Sequence, residues 1–200
     1  GAGNILGAEQ SGFISEIGYE MYHRILKEAV DELKKEEFSD VFKDTKIEKQ
    51  QITRECQIET DLELLLPQSY VESTTERLNL YRELDAIDTE VQLTKFIEKI
   101  IDRFGALPQQ TIDLIDAIRL RWLAGALGFE KVVLRNNRLS CYFPENQNDI
   151  YFQSDAFIRV IDFVKQHPKT CLLKEKNNML RLIFPSVKQI SDAISSLTNI

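Results

Sequence analysis

A chain of 200 residues, 43% hydrophobic and 28% charged, has room for one domain plus an appendage, since single cores mostly occupy roughly 100–150 residues. No apolar run approaches the ~20 residues of a bilayer span, and Cys56, Cys141 and Cys171 lie far apart with no CxxC pair, which argues for reduced, mostly buried thiols in a cytoplasmic protein over a zinc site or disulfide framework. The net charge of −7 is uneven: residues 51–110 hold six Lys/Arg against twelve Asp/Glu, residues 111–200 twelve against nine, so the middle is a poor nucleic-acid surface and a plausible face for a basic partner.

The first twelve residues hold four of the eight glycines, at Gly1, Gly3, Gly7 and Gly12. They are not a phosphate-cradling loop: there is no Gly-Lys-Ser/Thr ending, no G-x-G-x-x-G spacing and no preceding strand. From about Ser15 to Lys35 an amphipathic helix is expected, with Ile17, Met21, Leu26, Ala29 and Leu33 on one stripe. Residues 36 to about 50, rich in Lys, Glu and Asp, read as a linker. The first residue is Gly rather than Met, and the chain reads as a piece of a longer one.

A compact domain is expected over 51–200. Ile52 to Leu66 reads as a strand ending before Pro67, and Thr74 or Thr75 as the cap of a short helix carrying Leu78, Tyr81 and Leu84. Thr89 with Gln92 has capping-box form. The helix it starts carries Val91, Leu93, Phe96, Ile97, Ile100, Ile101 and Phe104 at helical spacing, taken together as one buried face. Gly105 suits its C-terminus, and Pro108 the first turn of the next helix, which runs to about Gly128 and is expected to be the most enclosed element. Two β-hairpins turn at Asn136-Asn137 and Asn177-Asn178, with a helix capped by Asp155 between them and a last helix after Pro185. The fold class is therefore α+β: a long N-terminal amphipathic helix, then a small antiparallel sheet covered by helices.

No catalytic constellation is visible. His23 and His167 stand in different parts of the chain, no serine lies in a G-x-S-x-G setting, and no metal-ligand cluster is present. Glu98 and Asp102, four apart on the elbow helix, read either as a functional acidic face or as ordinary solvated surface.

Two segments resemble the bacterial transcription-repair coupling factor family, DNA translocases that remove stalled RNA polymerase and recruit nucleotide-excision repair. Gly1-Ala2-Gly3-Asn4-Ile5-Leu6-Gly7 with Glu9-Gln10-Ser11-Gly12 resembles the stretch after the last helicase motif of the motor. Asp102-Arg103-Phe104-Gly105 with Leu107-Pro108, and Arg77-Leu78 with Tyr81-Arg82, resemble the signature of the family's C-terminal domain. The match spans residues 1 to about 128; beyond it only the order of elements agrees.

The resemblance implies a motor tail at 1–36, a linker at 37–50 and a C-terminal regulatory domain at 51–200. It makes Gln10 the residue coupling ATP hydrolysis to movement, with Gly3 and Gly7 as hinges. It implies a non-catalytic, autoinhibitory domain that packs on the N-terminal module of the same chain and hides its repair-protein-binding surface, with Asp102 and, more weakly, Glu98 at the contact. No cofactor is expected on this segment, while the parent would use ATP and Mg and bind double-stranded DNA, RNA polymerase and the excision-repair damage-recognition protein, without a membrane. The alternatives are the tail of a fork-reversing DNA helicase, which shares the Gly-rich loop, and a free-standing adaptor.

Overall fold

In the computed structural model, residues 56–146, 149–176 and 179–200 are described. The expected N-terminal helix, the linker and Gly3, Gly7 and Gln10 lie outside them. The described chain divides into two compact units, residues 63–114 and residues 56–62 with 115–200. The division falls within one continuous helix.

The first unit is built on two helices. α1 (Thr74–Asp85) is capped by Ser73, whose hydroxyl accepts from Glu76 N, one residue before the expected Thr74 or Thr75. α2 (Glu90–Phe104) begins with the expected capping box of Thr89 and Gln92 and stops at Gly105, φ 85°. Leu80, Leu84, Leu93, Phe96 and Ile100 form the core. Pro108 stands directly before α3 (Gln109–Ala126) and accepts at its carbonyl from Thr111 and Ile112 N–H.

The second unit holds the rest of α3 and a five-stranded sheet of β1 (Gln57–Thr60), β2 (Lys131–Arg135), β3 (Arg138–Tyr142), β4 (Leu172–Lys176) and β5 (Met179–Phe184), in the order β1-β2-β3-β5-β4. Three pairs are antiparallel, but β1 joins β2 in parallel, so the sheet is mixed and the antiparallel expectation is corrected. A parallel pair needs a long crossover, which residues 61–130 supply, and alternation within a strand carries no sign of its partner's direction. β1 is also shorter than expected, because Leu64 to Leu66 leave the sheet. Their loop is held from the side: Leu66 N donates to the Tyr81 hydroxyl at 2.9 Å.

Asn136 and Asn137 take φ of 52° and 56°, the pair of left-handed residues a type I′ hairpin turn requires. The second Asn-Asn turn lies outside the described residues. α4 (Asp155–Gln166) is capped by the Ser154 hydroxyl rather than by Asp155, whose charge instead sits in the first turn of the helix dipole. Before it comes a 3-10 turn, Ile150–Gln153, that the sequence reading missed. α5 (Ile190–Thr198) buries Ile190, Ala193 and Leu197. All three cysteines are free and buried, as expected. Burial pushes the Cys56 thiol up to about 12, against the opposing pull of Arg121, and raises Cys141 as well, so these are inert core thiols.

Candidate interaction surface

The elbow Asp102-Arg103-Phe104-Gly105 closes α2, and three of its four residues are tied into the first unit. Arg103 pairs with Glu76 of α1, and its guanidinium lies 5.1 Å from the centre of the Phe104 ring. Phe104 packs edge-on against Tyr70 at 5.7 Å. The Tyr70 hydroxyl donates to the Gly105 carbonyl at 2.9 Å and lies 3.2 Å from that of Ile100, capping the helix end from outside. Arg77 and Tyr81 also have structural work. The Arg77 guanidinium, 4% exposed, donates to the carbonyls of Val71 and Glu72 and to Thr74 Oγ1, and Tyr81 receives the Leu66 N–H. Burial raises the phenols of Tyr70 and Tyr81, the latter against the opposing Leu66 hydrogen bond and Arg77 charge, so both stay neutral across the physiological range.

Asp102 is the exception. It and Glu98, one turn earlier, are exposed, and among the described residues neither has an ion-pair or hydrogen-bond partner. The neighbouring cations point elsewhere: Lys99 pairs with Glu83 and Arg103 with Glu76, both on α1. Such exposed pairs add about 0–1 kcal/mol of stability. Their larger effect is to draw two positive charges away from the Glu98–Asp102 side, where Lys95 remains.

The same side carries apolar groups that the sequence reading had buried. Leu93, Phe96 and Ile100 form the inward stripe, while Val91 is 66% exposed and Ile101 42%. The correction follows from helix geometry. Val91 lies two residues from Leu93, about 200° around the axis at 100° per residue, so it cannot share that face. Ile112, in the first turn of α3, is also 37% exposed. An α2 residue's angle from the Leu93–Phe96–Ile100 stripe, rather than any three- or four-residue spacing, is what separates Val91 and Ile101 from the buried face.

Asp102 and Glu98 are thus brought together with Val91 and Ile101 on one outward helix face, while Gly3, Gly7 and Gln10 lie outside the described residues. Among the described residues no group of three His, Cys, Asp or Glu is placed to hold a metal ion, and no helix is long and apolar enough to cross a membrane.

Residues 60–154 match the TRCF domain family. The chain is 28% identical over 180 residues to the transcription-repair-coupling factor of Rickettsia bellii (strain RML369-C), covering 90% of this chain and 15% of that protein. It is 34% identical over 132 residues to that of Escherichia coli (strain K12), 66% of this chain and 11% of that protein. With Staphylococcus epidermidis (strain ATCC 12228 / FDA PCI 1200) the figures are 32% over 134 residues, 66% and 10%. The chain therefore spans only 10–15% of the length of these relatives. The first alignment reaches well past residue 128, where the sequence resemblance stopped. Among solved structures, a crystal structure of the C-terminal domain of transcription-repair coupling factor superimposes with a TM-score of 0.56 at 18% identity, over 73% of this chain and 89% of that one, a likeness of fold.

Proposed function

This chain belongs to the transcription-repair-coupling factor family, and from that premise we propose that its C-terminal part is a non-catalytic brake on a larger, ATP-dependent DNA translocase working in the cytoplasm. The domain packs on the N-terminal module of its own parent and covers the surface that recruits the excision-repair damage-recognition protein, until the parent engages RNA polymerase on double-stranded DNA. ATP and Mg belong to the parent's motor.

The observation that carries this reading is the outward face of α2. Asp102 and Glu98 stand free beside exposed Val91 and Ile101, in an elbow whose other residues are engaged within the unit. Carboxylates flanked by apolar groups suit a partner that offers a basic residue and a shallow apolar seat, where partial desolvation strengthens the pairing. A brake of this kind works by population shift: holding the parent closed at about 99:1 requires about 2.7 kcal/mol.

The test is a titration of this 200-residue chain against the separately purified N-terminal module of the parent. Asp102→Arg is expected to weaken binding at least tenfold (about 1.4 kcal/mol), and raised salt to weaken the native chain as well. Arg103→Ala, which loses its exposed pair with Glu76 and its place over the Phe104 ring, is expected to stay within about twofold. No binding by the native chain, or equal effects of the two substitutions, would sink the reading.

The motor-coupling role of Gln10, with Gly3 and Gly7 as hinges, is proposed for the parent. In the full-length protein Gln10→Ala is expected to leave ATP hydrolysis largely intact and to abolish movement along DNA. Parallel loss of both activities would contradict coupling.

A further inference from the structure

Residues directly opposite one another in a sheet point to the same side. The registers therefore align Gln57, Lys131, Tyr142, Arg181 and Lys174 in one row across all five strands. Four residues further along β2 and β3, Arg135 opposes Arg138 on the same side, about 13 Å away at ~3.3 Å per residue. Between them lies the row Glu59, Val133, Ser140, Ile183 and Leu172, in which Ser140 and Ile183 are buried and Val133 and Leu172 are the apolar groups that reach the surface. The alternate residues Ile58, Val132, Cys141 and Leu182 point the other way and are buried in the core.

The strands thus set Lys131, Arg135, Arg138, Lys174 and Arg181 on this face against a single strand carboxylate, Glu59. Glu59 holds Lys131 at 2.6 Å and Arg135 at 3.8 Å. Arg138, Lys174 and Arg181 have no ion-pair partner among the described residues, and Arg181 Nε is buried without a hydrogen bond. Arg138 and Lys174 are exposed, as is Leu172 at 44%.

We propose that this outer sheet face binds single-stranded nucleic acid, with phosphates on the Lys131–Arg181–Lys174 row and bases against Tyr142, Val133 and Leu172. The excess of cations calls for an anion, and the half-buried guanidinium of Arg181, with no ion-pair partner among the described residues, suits a phosphate oxygen. Tyr142 decides the class of anion. It is half-buried on the sheet between two cations, with the Lys131 ammonium 5.9 Å from its ring centre. An aromatic ring bracketed by cations offers a stacking platform within reach of phosphate contacts, which a base can use and the carboxylate side chains of an acidic peptide cannot. The proposal is independent of the brake reading, since it rests on residues of the other unit.

The test is fluorescence anisotropy of a labelled oligothymidylate titrated with the 200-residue chain. For three or four phosphate contacts, raising salt from about 50 to about 200 mM is expected to lower affinity about 20- to 50-fold. Lys174→Glu and Arg138→Glu, at exposed positions that folding does not depend on, are each expected to weaken binding at least about fivefold. Tyr142→Ala is expected to cost about 5- to 100-fold, while Tyr142→Phe keeps the affinity. Absence of salt-dependent binding, or indifference to the charge substitutions, overturns the proposal. Equal affinity for a polyglutamate makes the face an acidic-protein surface, and equal affinity for a duplex removes the role of stacking; either result also overturns it.

Discussion

Gly128→Ala is expected to remove most of the folding stability of the second unit. Gly128 sits at φ +82°, and a Cβ there would lie 2.0 Å from Tyr151 Cε2, 2.5 Å from Cδ2 and 2.8 Å from Cζ. Those are atoms of a ring that is wholly buried and cannot swing aside. Phe143 and Phe157 pack against it at 6.0 and 5.6 Å, and its hydroxyl donates to the Leu127 carbonyl at 2.7 Å. The substitution combines left-handed strain of about 1 kcal/mol, overpacking of about 1–3 kcal/mol and a broken buried hydrogen bond of about 1–3 kcal/mol. A total of about 3–7 kcal/mol is comparable with the stability of a whole domain. Gly105→Ala is the control. Its φ is +85°, but nothing lies within 4 Å of the added carbon, so only the strain of about 1 kcal/mol is expected. Urea melts of the two variants would separate the terms, and equal losses would show that the Tyr151 ring is not the cause.

Arg77→Met is expected to cost about 2–4 kcal/mol, although it replaces a charged residue with an apolar one of similar length. The guanidinium is 4% exposed and serves three acceptors, the carbonyls of Val71 and Glu72 and the hydroxyl of Thr74. Removing it leaves those oxygens short of donors in a place where water enters poorly, which costs more than a lost surface bond. Arg77→Lys should recover only part of the loss, because one ammonium cannot span the same three acceptors. Denaturant midpoints check the order native, Lys, Met. A Met variant as stable as the native chain would mean that the loop preceding α1 stands without this clamp.

Much of the architecture was legible because it rests on local chemistry. Thr89 and Gln92 can cap only a helix that starts between them, Gly105 is free to take the φ of 85° that ends one, and adjacent asparagines tolerate the left-handed turn between β2 and β3. Each of these signals spans a few residues and needs no distant partner. The caps of α1 and α4 were misplaced by one or two residues because Ser73 and Ser154 stand next to other competent capping residues, and only backbone geometry chooses among them.

The site was half legible. Asp102 and Glu98 were singled out on spacing and family resemblance, and both are exposed. The sequence could not say that Lys99 and Arg103 turn away to Glu83 and Glu76, since those pairs join residues 16 and 27 positions apart. Nor could it say that β1 would lie parallel to β2, or that Lys131, Tyr142, Arg181 and Lys174 would meet in one row. By itself the sequence determined the order of helices and hairpins and, at the start and end of α2 and at the β2–β3 turn, their boundaries, through interactions within a few residues. Tertiary structure alone decided which side chains are neighbours across strands and helices, because pairing register is set by the packing of the whole core and not by any one segment.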